Sequence, residues 1–158
     1  MVYRLPPLME LNAASRLLRG RPVLLVVGLC VELEKPWALE RAVELLGGRE
    51  RVGIVSVCPE AVHINMIGFK LAGMVARLRP ETVAVLTTDG SMHCVQLHYV
   101  VEELEKLGVA GGGWRRRHLV ASREGLVEVS PEAVRASRFL ARVQRLLEER
   151  SSGGGGGG

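Results

Sequence analysis

The apolar positions along this chain change their period several times, and each change predicts the end of one element and the start of another. Val23 to Val27 is an unbroken apolar run, which fits a strand covered on both faces. Arg51 to Val57 and Val83 to Leu86 read as two further strands. Between and after them apolar residues recur at helical spacing. The first such set is Trp37, Leu39, Ala42, Val43, Leu45 and Leu46, the second Ile67, Leu71, Met74, Val75 and Leu78, the third Leu97, Val100, Val101, Leu104 and Leu107. The punctuation agrees: Pro36 suits a first helical turn, Gly47-Gly48 and Gly108 suit helix ends, and Pro80 closes the middle helix. Leu8 to Leu18 predicts a short opening helix that stops at Gly20 and packs on the sheet edge.

After a loop at Gly111-Gly112-Gly113, Trp114 to Ser122 and Leu126 to Val129 flank Arg123-Glu124-Gly125, a spacing that suits a hairpin or a strand with a short return. Ser130-Pro131-Glu132 then supplies a capping serine, a first-turn proline and an acid at the positive end of a helix dipole. That helix would pack through Val134, Phe139, Leu140, Val143, Leu146 and Leu147. Ser151 to Gly158 has no apolar residue to bury and predicts a disordered tail, leaving residues 1–150 as one domain. Alternating strands and helices predict a three-layer α/β domain, Rossmann-like or flavodoxin-like, with a mainly parallel sheet of about four strands. Right-handed crossovers favour the order 2-1-3-4.

Composition narrows the setting. At 158 residues and 47% hydrophobic, the chain can bury a core without disulfides or metal as a staple. Its apolar runs are too short to cross a bilayer, and MVYRLPPLME has neither a basic n-region nor an apolar h-region, so a cytoplasmic protein without membrane contact is expected. The net charge of +4 is modest, and no aromatic residues interleave with the basic ones to suggest stacking on nucleic acid. The Arg115-Arg116-Arg117 run reads as protection of an exposed edge strand, with partner docking as the second reading, and His118 beside it reads as a surface residue.

Chemistry concentrates where strands end. The three cysteines, Cys30, Cys58 and Cys94, each fall just after a strand or at a strand-to-helix junction. One cysteine in such a place behaves as a small hydrophobe. Three on neighbouring strands of a 2-1-3 sheet would open onto one rim, because adjacent strands lie about 4.8 Å apart. His98 follows Cys94 by one helical turn, so the two project from one face and could share a metal; His98 could equally bond Glu102. His63 and His93 lie near the same rim. Thr88, Asp89, Gly90 and Ser91 form a polar turn before a helix N-terminus, where backbone N–H groups suit a phosphate, a carboxylate or the sulfides of a cluster; the same residues make an ordinary turn and cap. Gly28-Leu29-Cys30 lacks the spacing of a dinucleotide fingerprint and no P-loop is present, so neither NAD nor ATP is expected.

The Cys58 junction followed by a helix, together with VAVLTTDGSMHCVQLHY, resembles the delta-subunit family of methyl-viologen-reducing hydrogenases over Val23 to Leu107. The resemblance implies an iron–sulfur protein, with cluster ligands at Cys30, Cys58 and Cys94, passing electrons to a protein partner. The family pattern carries more cysteine, and Thr88 and His93 stand in the turn where a further thiolate is expected. His98, His93, Asp89 or another chain would complete the set. Zinc on three thiolates and His98 is the alternative metal. The competing functions are a thiol enzyme with Cys94 as nucleophile and His93 or His98 as base, and a structural or interaction module whose cysteines are inert; the expected partner is a redox protein or a second copy of the chain in a homo-oligomer.

Overall fold

The computed structural model describes residues 5–154. The chain runs β1 (Val23–Gly28), α1 (Leu29–Glu34), α2 (Pro36–Leu45), β2 (Val52–Val57), α3 (Ile64–Leu78), β3 (Thr82–Thr88), α4 (Val95–Lys106), β4 (Arg115–Ser122), β5 (Gly125–Val129), α5 (Pro131–Ala136) and α6 (Leu140–Gly153). The five strands form one sheet in the order β2-β1-β3-β4-β5. The first four are parallel, with Val26 opposite both Val55 and Val85, and β5 returns antiparallel to β4 as a hairpin.

Each central strand feeds two cores, because successive side chains leave opposite faces of a pleat. Leu24 and Val26 of β1 join Val83 and Val85 against Ile67, Leu71, Met74, Leu97 and Val101 of α3 and α4. Val23, Leu25 and Val27 join Ala84, Leu86, Leu119 and Ala121 against Val31, Ala38, Ala42 and Val43 of α1 and α2. All six residues of β1 are buried, as the unbroken apolar run requires.

Four expectations are corrected. Leu8 to Leu18 folds as successive turns, not a helix. Asn12 Oδ1 takes the Ala14 N–H and Ser15 Oγ takes the Leu17 N–H, so side chains compete for the backbone donors a helix would use. The segment still docks on the sheet: the Leu8 N–H donates to the Ser56 carbonyl, and the Ser56 N–H to the Pro6 carbonyl. Strand β4 is interior, between β3 and β5, so its arginines protect no edge. The last helix is two: α5 ends at Ala136, Phe139 breaks the helical backbone at φ −99°, ψ 86°, and α6 follows with no buried residue. Only Val134 of the predicted packing face is buried, while Phe139, Leu140, Leu146 and Leu147 are exposed. Ser151, Ser152 and Gly153 form the last turn of α6 and are not a disordered tail; residues 155–158 lie outside the described ones. Among the described residues no helix is long and apolar enough to cross a membrane.

Candidate functional site

The strand order puts the carboxyl ends of β2, β1 and β3 side by side, and each end leads into a cysteine. Cys30 lies in the first turn of α1, directly after β1, and is exposed. Cys58 follows the last residue of β2 and is half-buried. Cys94 is the residue before α4 and is buried. A Cβ built on Gly28, the last residue of β1, would stand 3.4 Å from Cys94 Sγ and 3.9 Å from the Thr87 Cα, so the glycine leaves the sulfur its space beside the ends of β1 and β3. Burial pushes the Cys30 thiol above its ordinary pKa, and the negative charges of Cys94, Glu34, Cys58 and Glu60 push it further. Among the described residues, however, no three His, Cys, Asp or Glu side chains form a group that could hold a metal ion.

The polar turn after β3 is committed largely to its own structure. The Asp89 N–H donates to the Ala121 carbonyl at 3.1 Å, and Ser91 Oγ accepts the Cys94 N–H at 3.2 Å. Asp89 and Gly90 are exposed, and Gly90 holds the turn at φ +82°. Thr88 Oγ accepts from Lys35 Nζ at 2.7 Å, and the same ammonium reaches the Ala121 carbonyl at 3.2 Å. Lys35 thus brings a part-buried cation to the rim from the end of α1. No motif in the sequence pointed to it, because its partners lie 53 and 86 residues away. His93 is half-buried. His63 is exposed and caps α3, its Nδ1 accepting the Asn65 N–H at 3.1 Å, which is a local structural duty.

His98 does not open onto the rim with a free nitrogen. Its Nε2 meets Thr87 Oγ at 2.7 Å and its Nδ1 meets Nδ1 of His118 at 3.0 Å. His118, expected at the surface, is fully buried, and its Nε2 lies 2.7 Å from Glu102 Oε1. Glu102 also pairs with Arg116 at 2.9 Å and Arg135 at 3.5 Å, while Arg116 reaches Glu105 at 3.1 Å. Burial, then the neighbouring His118, holds His98 down to a pKa of about 3; burial also lowers His118, against the opposing pull of Glu102. The basic run is split by strand alternation. Arg116 and His118 face α4, while Arg117 points the other way and grips Glu128 through two 2.7 Å bonds. That grip raises the Arg117 pKa and lowers that of Glu128. The sequence held one signal of this network: His98 and Glu102 share a face of α4, with Arg116 and His118 alternating on one strand. What it did not carry was the pairing of that helix with that strand.

These strands and helices are those of a Rossmann-like domain, and the family model of that description matches residues 16–153, so the chain belongs to the Rossmann-like domain family. It is also similar to a ribosomal protein L11 methyltransferase of Geobacter sp. (strain M21), with 35% identity over 82 residues, which is 48% of this chain and 26% of that protein's length. No solved structure matches the chain significantly.

Proposed function

We propose that the carboxyl rim is a thiol site in which Cys30, Cys58 and Cys94 hold an iron–sulfur cluster and serve electron transfer to a protein partner. The observation that carries this reading is the placement of the three cysteines at the ends of three adjacent parallel strands, close enough for two of them to disfavour ionisation of the third. The donor set fits in kind: thiolates are the ligands such clusters take. Mononuclear zinc on the same thiols and His98 fits poorly, since no group ready for a single ion exists among the described residues and both nitrogens of His98 are engaged. A polynuclear cluster spreads its thiolates more widely than one ion does. When bound, it would supply one-electron chemistry. The protein's share is to present the three sulfurs beside the carboxyl ends of three adjacent strands. A thiol enzyme is less well supported, because the imidazole one turn beyond Cys94 bonds Thr87 instead of the sulfur.

The methyltransferase similarity favours a second reading, a domain that takes S-adenosylmethionine at the same rim. One local feature opposes it: the β1 turn passes from Gly28 straight into α1 without a glycine-rich loop, although Glu60, three residues past the end of β2, is a carboxylate near the same rim. Anaerobic purification with iron and sulfide analysis separates the readings. The cluster predicts stoichiometric iron and sulfide in the parent protein and loss of both in Cys58→Ser and Cys94→Ala. Metal-free protein that binds S-adenosylmethionine in a calorimetric titration would replace it with the second reading.

A further inference from the structure

We propose that Thr87, His98, His118 and Glu102 form a proton-transfer wire through the interior, joining the carboxyl rim to a cavity between α4 and α5. The inference is independent of what the rim binds. The four side chains are linked by successive bonds of 2.7, 3.0 and 2.7 Å, and none of them is more than 8% exposed. Each is bifunctional. A hydroxyl donates and accepts through one oxygen, a neutral imidazole does so through opposite nitrogens, and a carboxylate takes up and releases a proton. Leucines would fill the same space without the cost of burying polar groups.

Charge sets the direction. Arg116 and Arg135 face Glu102, and Glu105 and Glu128 are the remaining acids around this part of β4; the Glu102 Oε1 that accepts from Arg116 also accepts from His118 Nε2. His118 Nδ1 must then accept from His98 Nδ1, and His98 Nε2 from the Thr87 hydroxyl. The two ends lie in different places. Thr87, itself buried, stands near the end of β3, its Cα and Cys94 Sγ both within 4 Å of the Gly28 Cβ position. Glu102 lines a cavity of about 230 Å³ together with Tyr99, Lys106, Val134, Arg135 and Arg138.

Transfer along the wire balances at every step. Thr87 oxygen takes a proton from a protic ligand or water at the rim as its own passes to His98 Nε2. The Nδ1 proton of His98 passes to His118 Nδ1, and the Nε2 proton of His118 passes to Glu102. One proton has moved from rim to cavity, both rings have exchanged tautomers, and no charge remains between the ends. The reverse sequence returns a solvent proton to His118 Nε2.

The test uses the full-length protein with 15N-labelled imidazoles, read by NMR in water and after transfer to deuterium oxide. The wire requires His98 to carry its proton on Nδ1 and His118 on Nε2; the opposite tautomers would overturn it. It also requires exchange of the His118 Nε2 proton to depend on Thr87, which bonds His98 and not His118. Thr87→Val should slow that exchange at least tenfold relative to the backbone amides of Val101 and Leu119, and Thr87→Ser should restore it. A merely structural network loosens in Thr87→Val, so unchanged or faster exchange would refute the wire. Should Thr87→Val not fold, the tautomers and the Thr87→Ser rate decide: the wrong tautomers, or exchange in the parent and in Thr87→Ser no faster than those core amides, would refute it.

Discussion

The two sides of the sheet are built to different rules. Under α1 and α2 the strands bury Val, Leu and Ala against Val31, Ala38, Ala42 and Val43, with a single buried carboxylate, Glu32, whose Oε1 accepts the Leu5 N–H at 2.8 Å. Under α4 an apolar core is interrupted by two imidazoles, a carboxylate and an arginine whose hydrogen bonds must all be made together. Apolar packing tolerates substitution in proportion to lost volume, whereas a half-satisfied polar network is worse than none. A buried cluster of this kind is not the cheapest way to hold two elements together, because apolar residues of similar volume often do so equally well. Among the described residues a chain of linked buried imidazoles is found on this face, whereas the opposite face buries only the isolated carboxylate of Glu32.

Glu102→Ala should break the contrast most severely. It leaves His118 and Arg116 without their shared acceptor, and chemical denaturation should show a loss of about 3–5 kcal/mol. On the opposite face Leu25→Ala removes only volume and should cost about 2–5 kcal/mol, with the acid sensitivity of the parent kept intact. If Glu102→Ala proved milder than Leu25→Ala, the two faces would not differ as argued.

Acid sharpens the comparison further. The folded-state pKa of His98 is about 3, below the unfolded value near 6.5, and that of His118 is also lowered. The unfolded chain therefore binds more protons below pH 6.5. The stability these rings contribute is complete above that value and is lost as pH falls towards 3, by up to about 1.4 kcal/mol per pH unit for each proton. Denaturation midpoints between pH 7 and 4 should trace this slope, and a His98→Leu/His118→Leu double variant that folds should flatten it. The smallest effect belongs to the terminus: removing residues 151–158 deletes the last turn of a helix that buries nothing, so the melting temperature should not move.

Much of this architecture was legible in the chain, for identifiable reasons. Strands covered on both faces betray themselves as unbroken apolar runs, so Val23 to Val27 located β1 and the cysteine that follows it. Parallel crossovers have one hand, which is enough to place β1 between β2 and β3. His118 was misread because three arginines precede it, and local charge says nothing about Glu102, sixteen residues earlier, which arrives on a helix packed against that strand. Lys35 went unnoticed for the same reason. The opening helix failed differently: its apolar spacing was correct, and Leu8 and Leu18 are indeed buried, yet Asn12 and Ser15 give the backbone a better partner than the next turn.

The docking of Pro6 to Leu8 on β2 bears on how these molecules meet one another. An open parallel sheet presents a row of unpaired donors and acceptors at each margin, and a neighbouring chain can add itself there as one more strand. At the β2 margin the N–H and the carbonyl of Ser56 are already taken by the chain's own Pro6 and Leu8. The segment seated there carries Pro6 and Pro7, which have no N–H to offer an incoming strand. Growth of the sheet from molecule to molecule is thus blocked at Ser56, near the carboxyl end of β2.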